Sequence, residues 1–302
     1  MSTRIATVFG ATGQQGSAVV HAILKDGTFT PRAVTRDVNS DSARALAALG
    51  ADVVAANLGD KEAVRNAVVG AEAVFLVTIP FDASLPEMTQ GTNVIDASKE
   101  AGVRFVVFST LPDVSALSKG KYTNAVQSDE KAKIQGYLEA SGLAHASIAT
   151  GGFFENVLKP FLGQDWEKTD DGYVLPTFMR PNAPTVQTWI GHDMGPAVVA
   201  LFKQYDTRAA EILGQTFVLG SARMTYEDFA AELSKGFGQP IQVKFAGRVG
   251  FPAADDMLDA MTEFTFYPGV TIPDPRLEKL GVKMGSIEEF GRTLLKSYLA
   301  EL

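Results

Sequence analysis

A glycine-rich segment, Gly10–Gly16, joins the first apolar run of the chain to its first helical pattern. It reads Gly-Ala-Thr-Gly-Gln-Gln-Gly and follows the β-prone residues Ile5–Phe9, and apolar residues recur at helical spacing from Gln15 to Lys25. Glycine at positions 10, 13 and 16 lets the backbone turn tightly, leaves room for a pyrophosphate, and lets the helix pack closely on the strand. The free amides and the dipole of that helix would face the anion. The segment therefore predicts a dinucleotide-binding turn, with an ordinary tight loop as the alternative.

Strands and helices alternate along the first half of the chain, which favours a parallel sheet with helices on both faces. We expect an α/β protein with a Rossmann-type, doubly wound sheet in residues 1–152, to which the chain returns at about residues 186–222. Residues 153–302 would mainly form a smaller, interleaved C-terminal α/β lobe. The first strands are expected at Ile5–Phe9, Arg32–Thr35, Asp52–Ala55, Ala73–Thr78, Arg104–Ser109 and Ala146–Ala149, and the first helices at Gln15–Lys25, Ser42–Leu49, Lys61–Val69, Pro86–Ala101 and Asn124–Ala140.

The composition limits the classes of function. The 302 residues carry 27 basic and 35 acidic side chains, a net charge of −8 without a basic block, so direct nucleic-acid binding is not expected. There is no cysteine, and the three histidines are scattered without ligand spacing, so no metal site is predicted. No apolar run reaches the length of a membrane span and no signal-peptide pattern is present. We expect a cytoplasmic protein, also nuclear if it is a regulator.

The end of the second strand indicates which cofactor the turn would take. An acidic residue there usually binds the ribose 2′-hydroxyl of NAD, whereas a basic residue accommodates the 2′-phosphate of NADP. The strand ends at Thr35 and Arg36, and the first carboxylate is Asp37. The guanidinium of Arg36 offers a planar fork of donors suited to phosphate. The sequence predicts NADP(H) over NAD(H), with an exposed loop arginine as the alternative.

Several segments together resemble the NmrA-like family, an atypical branch of the short-chain dehydrogenase/reductase superfamily. They are Gly10–Gly16, Arg36, the Ile-Ala-Thr-Gly-Gly-Phe-Phe-Glu-Asn of Ile148–Asn156, the Trp-Ile-Gly-His-Asp-Met-Gly of Trp189–Gly195, and the helix start at Tyr226–Phe229. The glycine motif is common to many families, whereas Gly-Phe-Phe-Glu-Asn is more specific. The resemblance covers essentially the whole chain and implies a cofactor-binding protein.

The resemblance also implies roles for single residues in holding the cofactor. Gly10, Thr12, Gln14, Gln15 and Gly16, with Gly13 between them, would line the pyrophosphate, and Arg36 the adenosine phosphate. Asn57 and Leu58 would flank the adenine, while Thr78 and Ile79 would run along the ribose. These positions follow the carboxyl ends of successive strands, where ligands of open α/β sheets bind.

The helix expected at Asn124–Ala140 bears on catalysis. Ordinary short-chain dehydrogenases carry a tyrosine and a lysine four residues apart here, and the lysine binds the nicotinamide ribose while the tyrosine transfers a proton. Lys131 matches the lysine, but Gln127 stands at the tyrosine position, and an amide is no tunable proton donor. Tyr122 lies outside this register. Lys131 is therefore a candidate catalytic and ribose-binding residue, with a solvated surface lysine as the alternative.

The later part of the chain would complete the nicotinamide end of the site. Gly152 would bring backbone close to the nicotinamide, Phe153 and Phe154 would form a wall, and Asn156 would hold the loop. The candidates for an apolar substrate pocket are Phe81, Phe153, Phe154 and Trp166, each of which has burial in the core as its alternative.

Further helices are expected in this later part, one of them at Tyr226–Lys235. Asp193 is a candidate N-cap for a helix running to Gln204, and helices near Ala253–Phe264 and Ile287–Leu299 would close over the cleft.

Two functions fit these residues. The missing tyrosine favours a redox sensor whose NADP(H) occupancy regulates a protein partner, as the resemblance implies for many family members. The alternative is an NADPH-dependent reductase of a small quinone, enone or aromatic substrate that uses Lys131, because hydride transfer depends more on proximity than on acid catalysis.

Overall fold

A computed structural model describes residues 4–158 and 165–301. The strands are β1 (Ile5–Val8), β2 (Thr30–Thr35), β3 (Asp52–Ala55), β4 (Ala73–Leu76), β5 (Phe105–Thr110), β6 (His145–Thr150), β7 (Gly152–Phe153), β8 (Glu167–Thr169), β9 (Gly172–Thr177), β10 (Thr185–Thr188), β11 (Thr216–Leu219), β12 (Ala222–Met224) and β13 (Ile241–Phe245).

The helices flank these strands in chain order. They are α1 (Gln14–Asp26), α2 (Asp41–Ala48), α3 (Lys61–Val68), α4 (Glu87–Glu100), α5 (Val114–Leu117), α6 (Val126–Ala140), α7 (Ile190–Gln204), α8 (Ala209–Ile212), α9 (Tyr226–Phe237), α10 (Pro252–Glu263), α11 (Pro275–Lys279), α12 (Ile287–Phe290) and α13 (Lys296–Ala300), with a 3-10 turn at Phe154–Leu158 and a π turn at Gly291–Leu295.

A seven-stranded sheet forms the centre of the molecule, in the order β11-β6-β5-β4-β1-β2-β3. All neighbouring strands in it are parallel. Every residue of β4 and β5 is buried, as expected when helices cover both faces of a sheet. The predicted doubly wound α/β fold is confirmed.

The two faces of this sheet are covered by different helices. Side chains of α1, α2 and α7 pack on one face, and those of α3, α4 and α6 on the other. Helix α7 lies so close to α1 that a Cβ on Gly195 would come within 2.3 Å of the Ala18 carbonyl oxygen. The later part of the chain therefore helps to hold the helix that follows the glycine turn.

A smaller lobe contains two three-stranded sheets, β12-β10-β7 and β13-β9-β8. Its core is rich in aromatic residues and includes Phe154, Tyr173, Trp189, Phe229 and Phe290. Strand β9 pairs antiparallel with β8 and parallel with β13. The chain also returns to the large sheet through α7 and β11, so the two parts of the molecule are interleaved.

Two expectations for the later helices are wrong. Helix α7 begins at Ile190, and Asp193 is not its N-cap but lies fully buried in its first turn, accepting hydrogen bonds from the Gly285 amide at 2.8 Å and the Ser221 hydroxyl at 3.0 Å. Helix α10 lines the cleft, but α12 packs against α9 in the core of the smaller lobe. The apolar side chains of α12 are buried in that core, so they do not line the cleft.

Candidate cofactor and substrate site

The turn after β1 is built by close approach of backbone atoms. Gly10 adopts a left-handed conformation with φ of 65°, and its carbonyl oxygen accepts a hydrogen bond from the Gly13 amide at 2.9 Å. A Cβ on Gly16 would lie 2.2 Å from that same oxygen. Because backbone cannot move aside as a side chain can, only glycine fits at position 16.

A groove of about 350 Å³ crosses the carboxyl ends of β1 to β4. All the residues that the resemblance assigned to the pyrophosphate, adenosine and ribose line it, namely Gly10, Thr12, Gly13, Gln14, Gln15, Gly16, Arg36, Asn57, Leu58, Thr78 and Ile79. Their assembly follows from the fold, since the carboxyl ends of parallel strands meet at one edge of the sheet. The groove has the position of a dinucleotide site in a doubly wound fold.

Arg36 lies exposed at the end of β2 and lines the groove. Within the described ranges its guanidinium makes no hydrogen bond or ion pair, so its donors are available to a ligand. Asp37 is engaged locally, because its Oδ1 accepts a hydrogen bond from the Asn39 amide at 2.8 Å. The arrangement presents the guanidinium of Arg36 at this end of the groove, which the carboxylate of Asp82 also lines within reach of the Arg36 charge.

A row of buried polar residues on α4 supports the groove. The Gln90 amide exchanges two hydrogen bonds with the backbone of Ile79, both at 2.8 Å, and Asn93 Nδ2 donates to the Leu58 carbonyl at 2.8 Å. Glu87 belongs to the same row. Sequence reasoning missed these residues. Their spacing of three along a helix, among buried apolar positions, is the signal that could have revealed them.

Lys131 is buried rather than solvated, so its interpretation as a surface lysine is wrong. Its Nζ donates to the Thr78 hydroxyl at 2.9 Å, to the Thr78 carbonyl at 3.2 Å and to Glu87 Oε1. The Thr78 hydroxyl in turn donates to Glu87 Oε1 at 2.5 Å. Burial lowers the pKa of Lys131, while the charge of Glu87 acts in the opposite direction. Lys131 therefore lies at the floor of the cleft within a closed network of polar groups.

Gln127 stands between the groove and the smaller lobe. Its Nε2 donates to the Ala253 carbonyl of α10 at 3.2 Å, and its buried Oε1 has no hydrogen-bond partner in the part of the chain described here. The amide thus connects α6 to the helix that covers the cleft. No general acid occupies the position where ordinary short-chain dehydrogenases carry tyrosine.

Two chambers continue the groove towards the smaller lobe. The central chamber, of about 390 Å³, contains Lys131 and Gln127, and the side chamber, of about 450 Å³, reaches under α10. Gly152, Phe153 and Asn156 line both chambers, and Phe153 also lines the groove. The residues that line the side chamber are largely apolar or aromatic and include Trp166, Leu175, Phe178, Met179, Tyr226 and Leu258.

Two residues predicted for the pocket lie elsewhere. Phe154 is fully buried in the core of the smaller lobe, with its ring centroid 5.3 Å from that of Phe229 and 5.5 Å from that of Phe290. Phe153 is the last residue of β7 and takes the cleft side, whereas Phe154 begins the 3-10 turn that follows and its ring enters the core of the smaller lobe. Phe81 is 57% exposed and packs edge-on against Phe251. The backbone at Phe81 is in the left-handed region, with φ of 62°, and this turn directs the side chain out of the cleft.

Two of the segments that carry the sequence resemblance, Ile148–Asn156 and Trp189–Gly195, meet in the structure. Glu155 follows Phe154 in the chain, and its carboxylate accepts hydrogen bonds from the amides of Ile190 at 3.3 Å and Gly191 at 2.6 Å. These are free amides of the first turn of α7, which a carboxylate stabilises. Nearby, His192 stacks on Trp189 with ring centroids 4.8 Å apart. Both segments therefore serve to join the smaller lobe to α7.

Other kinds of site receive no support. No cluster of three or more potential metal ligands occurs in residues 4–158 and 165–301. None of the helices described is both long and apolar enough to cross a membrane.

The comparison with known proteins decides the family. A sequence profile of the NmrA-like family matches residues 2–271. The chain belongs to the NmrA-like family. It is 32% identical over 248 residues to the NmrA-like family domain-containing oxidoreductase malD of Malbranchea aurantiaca, an alignment covering 75% of this chain and 72% of malD.

Solved structures share the fold of this NmrA-like protein. NmrA, a negative transcriptional regulator, has been solved in complex with NADP and with NAD, and both structures superpose with a TM-score of 0.80 at 18% identity, covering 100% of this chain and 98% and 99% of theirs. An NADPH-dependent quinone oxidoreductase from Escherichia coli, complexed with NADPH, has a TM-score of 0.71 at 23% identity and covers 96% of this chain and 99% of its own. Likeness at these identities concerns the fold.

Proposed function

We propose that this NmrA-like protein is an NADP(H)-dependent reductase of a small aromatic or otherwise flat apolar substrate. One observation carries the proposal: the groove continues into the central chamber and then into the side chamber, with Phe153 lining all three. A cofactor lying in the groove would direct its nicotinamide ring into the central chamber. The adjoining apolar space would hold an acceptor against that ring, which is the proximity that hydride transfer needs.

The residues of the groove fit a dinucleotide phosphate. The glycine turn offers close approach and free amides, and the unpaired guanidinium of Arg36 offers donors to a 2′-phosphate. The related regulator is solved with both NADP and NAD, so its fold alone sets no preference. Our proposal of NADP(H) over NAD(H) rests on Arg36.

The polar network around Lys131 suits a positioning role. With Nζ held by Thr78 and Glu87, the ammonium lies beneath the expected position of the nicotinamide ribose. The names of two relatives agree with a reductase, since malD is called an oxidoreductase and the protein from Escherichia coli acts on quinones. Helix α6 contributes two polar side chains to the central chamber, the amide of Gln127 and the ammonium of Lys131.

A second candidate is a cofactor sensor that regulates a protein partner. It is favoured by Gln127 at the position of the usual tyrosine, and by the likeness to a negative transcriptional regulator that binds NADP. The side chamber favours the reductase, because a sensor has no need of an apolar space beyond the nicotinamide. An affinity for a protein partner that is the same in the apo, NADP⁺ and NADPH forms would rule out the sensor.

Multiple-turnover oxidation of NADPH with phenanthrenequinone, menadione and naphthaldehyde tests the reductase. We expect turnover by the wild-type protein and a loss of at least about tenfold in Leu258→Trp, which fills the side chamber, with the affinity for NADPH unchanged. Leu49→Trp, on the exposed end of α2, is the matched control and should behave as the wild type. NADPH binding without oxidation by any acceptor would overturn the reductase and leave the sensor.

A further inference from the structure

Tyr267 is held in an unfavourable backbone conformation beside the central chamber. Its φ is 57°, in the left-handed region that side chains other than glycine rarely adopt. A tyrosine has no local hydrogen bond to compensate for this conformation, as asparagine can. Such residues persist only where surrounding contacts enforce them, and they concentrate at functional sites.

Arg223 enforces this conformation. Its Nη1 donates to the Phe266 carbonyl at 2.8 Å and its Nη2 to the Tyr267 carbonyl at 3.0 Å. Arg223 belongs to β12, which pairs with β10 beside the chamber, and it lines the chamber itself. A guanidinium fork therefore clamps two successive carbonyls at the strained turn.

The clamp by Arg223 places the phenol of Tyr267 at the central chamber, where Gln127 stands at the position of the tyrosine of ordinary short-chain dehydrogenases. Tyr267 lines the central chamber together with Lys131 and Gln127. Its hydroxyl donates to the carbonyl oxygen of Thr150, at the carboxyl end of β6, at 2.7 Å. Burial raises the pKa of Tyr267, so the phenol is neutral at physiological pH. The molecule thus holds a phenol proton at the wall of the chamber that Lys131 and Gln127 of α6 also line.

We propose that Tyr267 is a catalytic residue that donates its hydroxyl proton to the substrate oxygen in the central chamber. This inference rests on the reductase proposed above. The hydride of a reduced nicotinamide dinucleotide adds to the carbonyl carbon, the π electron pair moves to the oxygen, and that oxygen takes the proton of Tyr267. Rotation about the Cζ–O bond turns the hydroxyl from Thr150 to the substrate, and the phenolate afterwards takes a proton from water.

The chemistry of the donor selects the substrate class. A neutral, buried phenol gives up its proton readily only to a strong base such as the alkoxide formed from an aldehyde or ketone. A reduced quinone is a weaker base, because its charge is delocalised, and it gains little from such a donor. The substrate that fits is therefore an aromatic aldehyde or ketone.

The first test compares two acceptors in two tyrosine variants. With naphthaldehyde, Tyr267→Phe should lower kcat by about a hundredfold, and with phenanthrenequinone by less than about tenfold, at an unchanged dissociation constant for NADPH. The solvent isotope effect on kcat with naphthaldehyde should disappear. Tyr122→Phe is the matched control, because the Tyr122 hydroxyl donates to Glu263, outside both chambers. Equal losses with both acceptors, or behaviour like the control, would overturn the proposal.

The second test is independent of turnover and of whether Tyr267→Phe folds well. Isotope-labelled tyrosine in the wild-type protein, saturated with NADP⁺, is followed by NMR during titration with acetonaphthone, an aromatic ketone. We expect the ring signal that is absent in Tyr267→Phe to move and to lose its response in Arg223→Gln, while the Tyr122 signal stays. The signal of Tyr226, which lines the side chamber, should also respond and is assigned separately with Tyr226→Phe. A Tyr267 signal that does not move overturns the inference even if the protein reduces quinones. Movement of this signal without turnover of any acceptor would show that Tyr267 contacts the ketone, but it would overturn both the reductase and the catalytic role of Tyr267.

Discussion

The groove at the carboxyl ends of β1 to β4 and the two chambers beyond it are built in different ways. Except for Phe153, the groove is lined by residues 9–90, which come from the carboxyl ends of β1 to β4, the segments that directly follow these strands, and Gln90 of α4. The side chamber is lined by residues 127–261, which come from α6, the smaller lobe and α10. The first is shaped by backbone at the edge of one sheet, and the second by side chains from segments distant in sequence.

This difference separates what the fold requires from what it leaves free. A groove formed by backbone contacts tolerates few substitutions, because any added atom meets atoms that cannot move. A chamber formed by side chains changes shape with each substitution while the sheet stays intact. The same scaffold can therefore keep its groove and vary the shape of the chambers beyond it.

The largest effect is expected at the glycine turn. In Gly16→Val the Cβ would lie 2.2 Å from the Gly10 carbonyl oxygen, which is a severe clash. We therefore expect a loss of more than about 4 kcal/mol in the free energy of unfolding and no cofactor binding. Chemical denaturation and calorimetric titration measure both quantities. Gly136→Ala on α6, where a Cβ meets open space, is the control and should be neutral or stabilising. A stable Gly16→Val protein that binds cofactor would show that the groove is not a backbone structure.

Two phenylalanines outside the chambers, one buried in the smaller lobe and one exposed after β4, sharpen the comparison from its other side. Phe154→Ala empties the aromatic core and should lower the free energy of unfolding by about 3–5 kcal/mol. Phe81→Ala, at an exposed position, should change it by less than about 0.5 kcal/mol. Thermal and chemical denaturation of both variants check these values. A similar small effect in both would place Phe154 outside the core.

The ion pair under the groove should make stability depend on pH. Glu87→Gln breaks a buried pair and should destabilise the protein by up to about 3 kcal/mol near neutral pH. It also removes the interaction that opposes the burial of Lys131, so the pKa of Lys131 in the folded protein falls further below its ordinary value. Between that lowered pKa and the ordinary one, the unfolded chain binds more protons than the folded chain, so stability rises with pH.

Denaturation over a series of neutral to alkaline pH values measures this dependence. The deficit of Glu87→Gln relative to the wild type should shrink as the pH rises towards the ordinary pKa of lysine. The double variant Glu87→Gln, Lys131→Met removes both charges and should recover most of the stability. A deficit that is independent of pH would contradict the assignment.

The smallest expected effect concerns the selectivity of the groove. Arg36→Ala removes a charge-assisted contact and should weaken the binding of NADP⁺ and NADPH by roughly 1.5–3 kcal/mol, about one to two decades, with NAD⁺ and NADH unaffected. Calorimetric titration with the four cofactors measures this change. Arg44→Ala is the control, because Arg44 pairs with Asp41 on α2, outside the groove. Equal weakening for phosphorylated and unphosphorylated cofactors would remove the basis for proposing NADP(H).

Sequence reasoning anticipated the sheet and the lining of the groove because both depend on short stretches. A strand, a glycine turn and a helix are specified by contiguous residues, and parallel strands bring the loops that follow them to one edge. It did not anticipate the partner of Lys131, because Glu87 lies 44 positions away and meets it only when α4 packs beside α6. The spacing of Glu87, Gln90 and Asn93 along α4 is visible in the sequence, but the residues to which they hydrogen-bond are not.

The sequence by itself determined the doubly wound fold, the family and the position of the groove at the carboxyl ends of β1 to β4, since these follow from local periodicity and from motifs whose residues are neighbours in the chain. Only the tertiary structure decided that Phe153 faces the cleft and Phe154 the core, that Lys131 is held by Glu87, and that Tyr267 enters the central chamber. Each of these outcomes depends on contacts between segments far apart in sequence. Such contacts are fixed by packing, which no single stretch of the chain encodes.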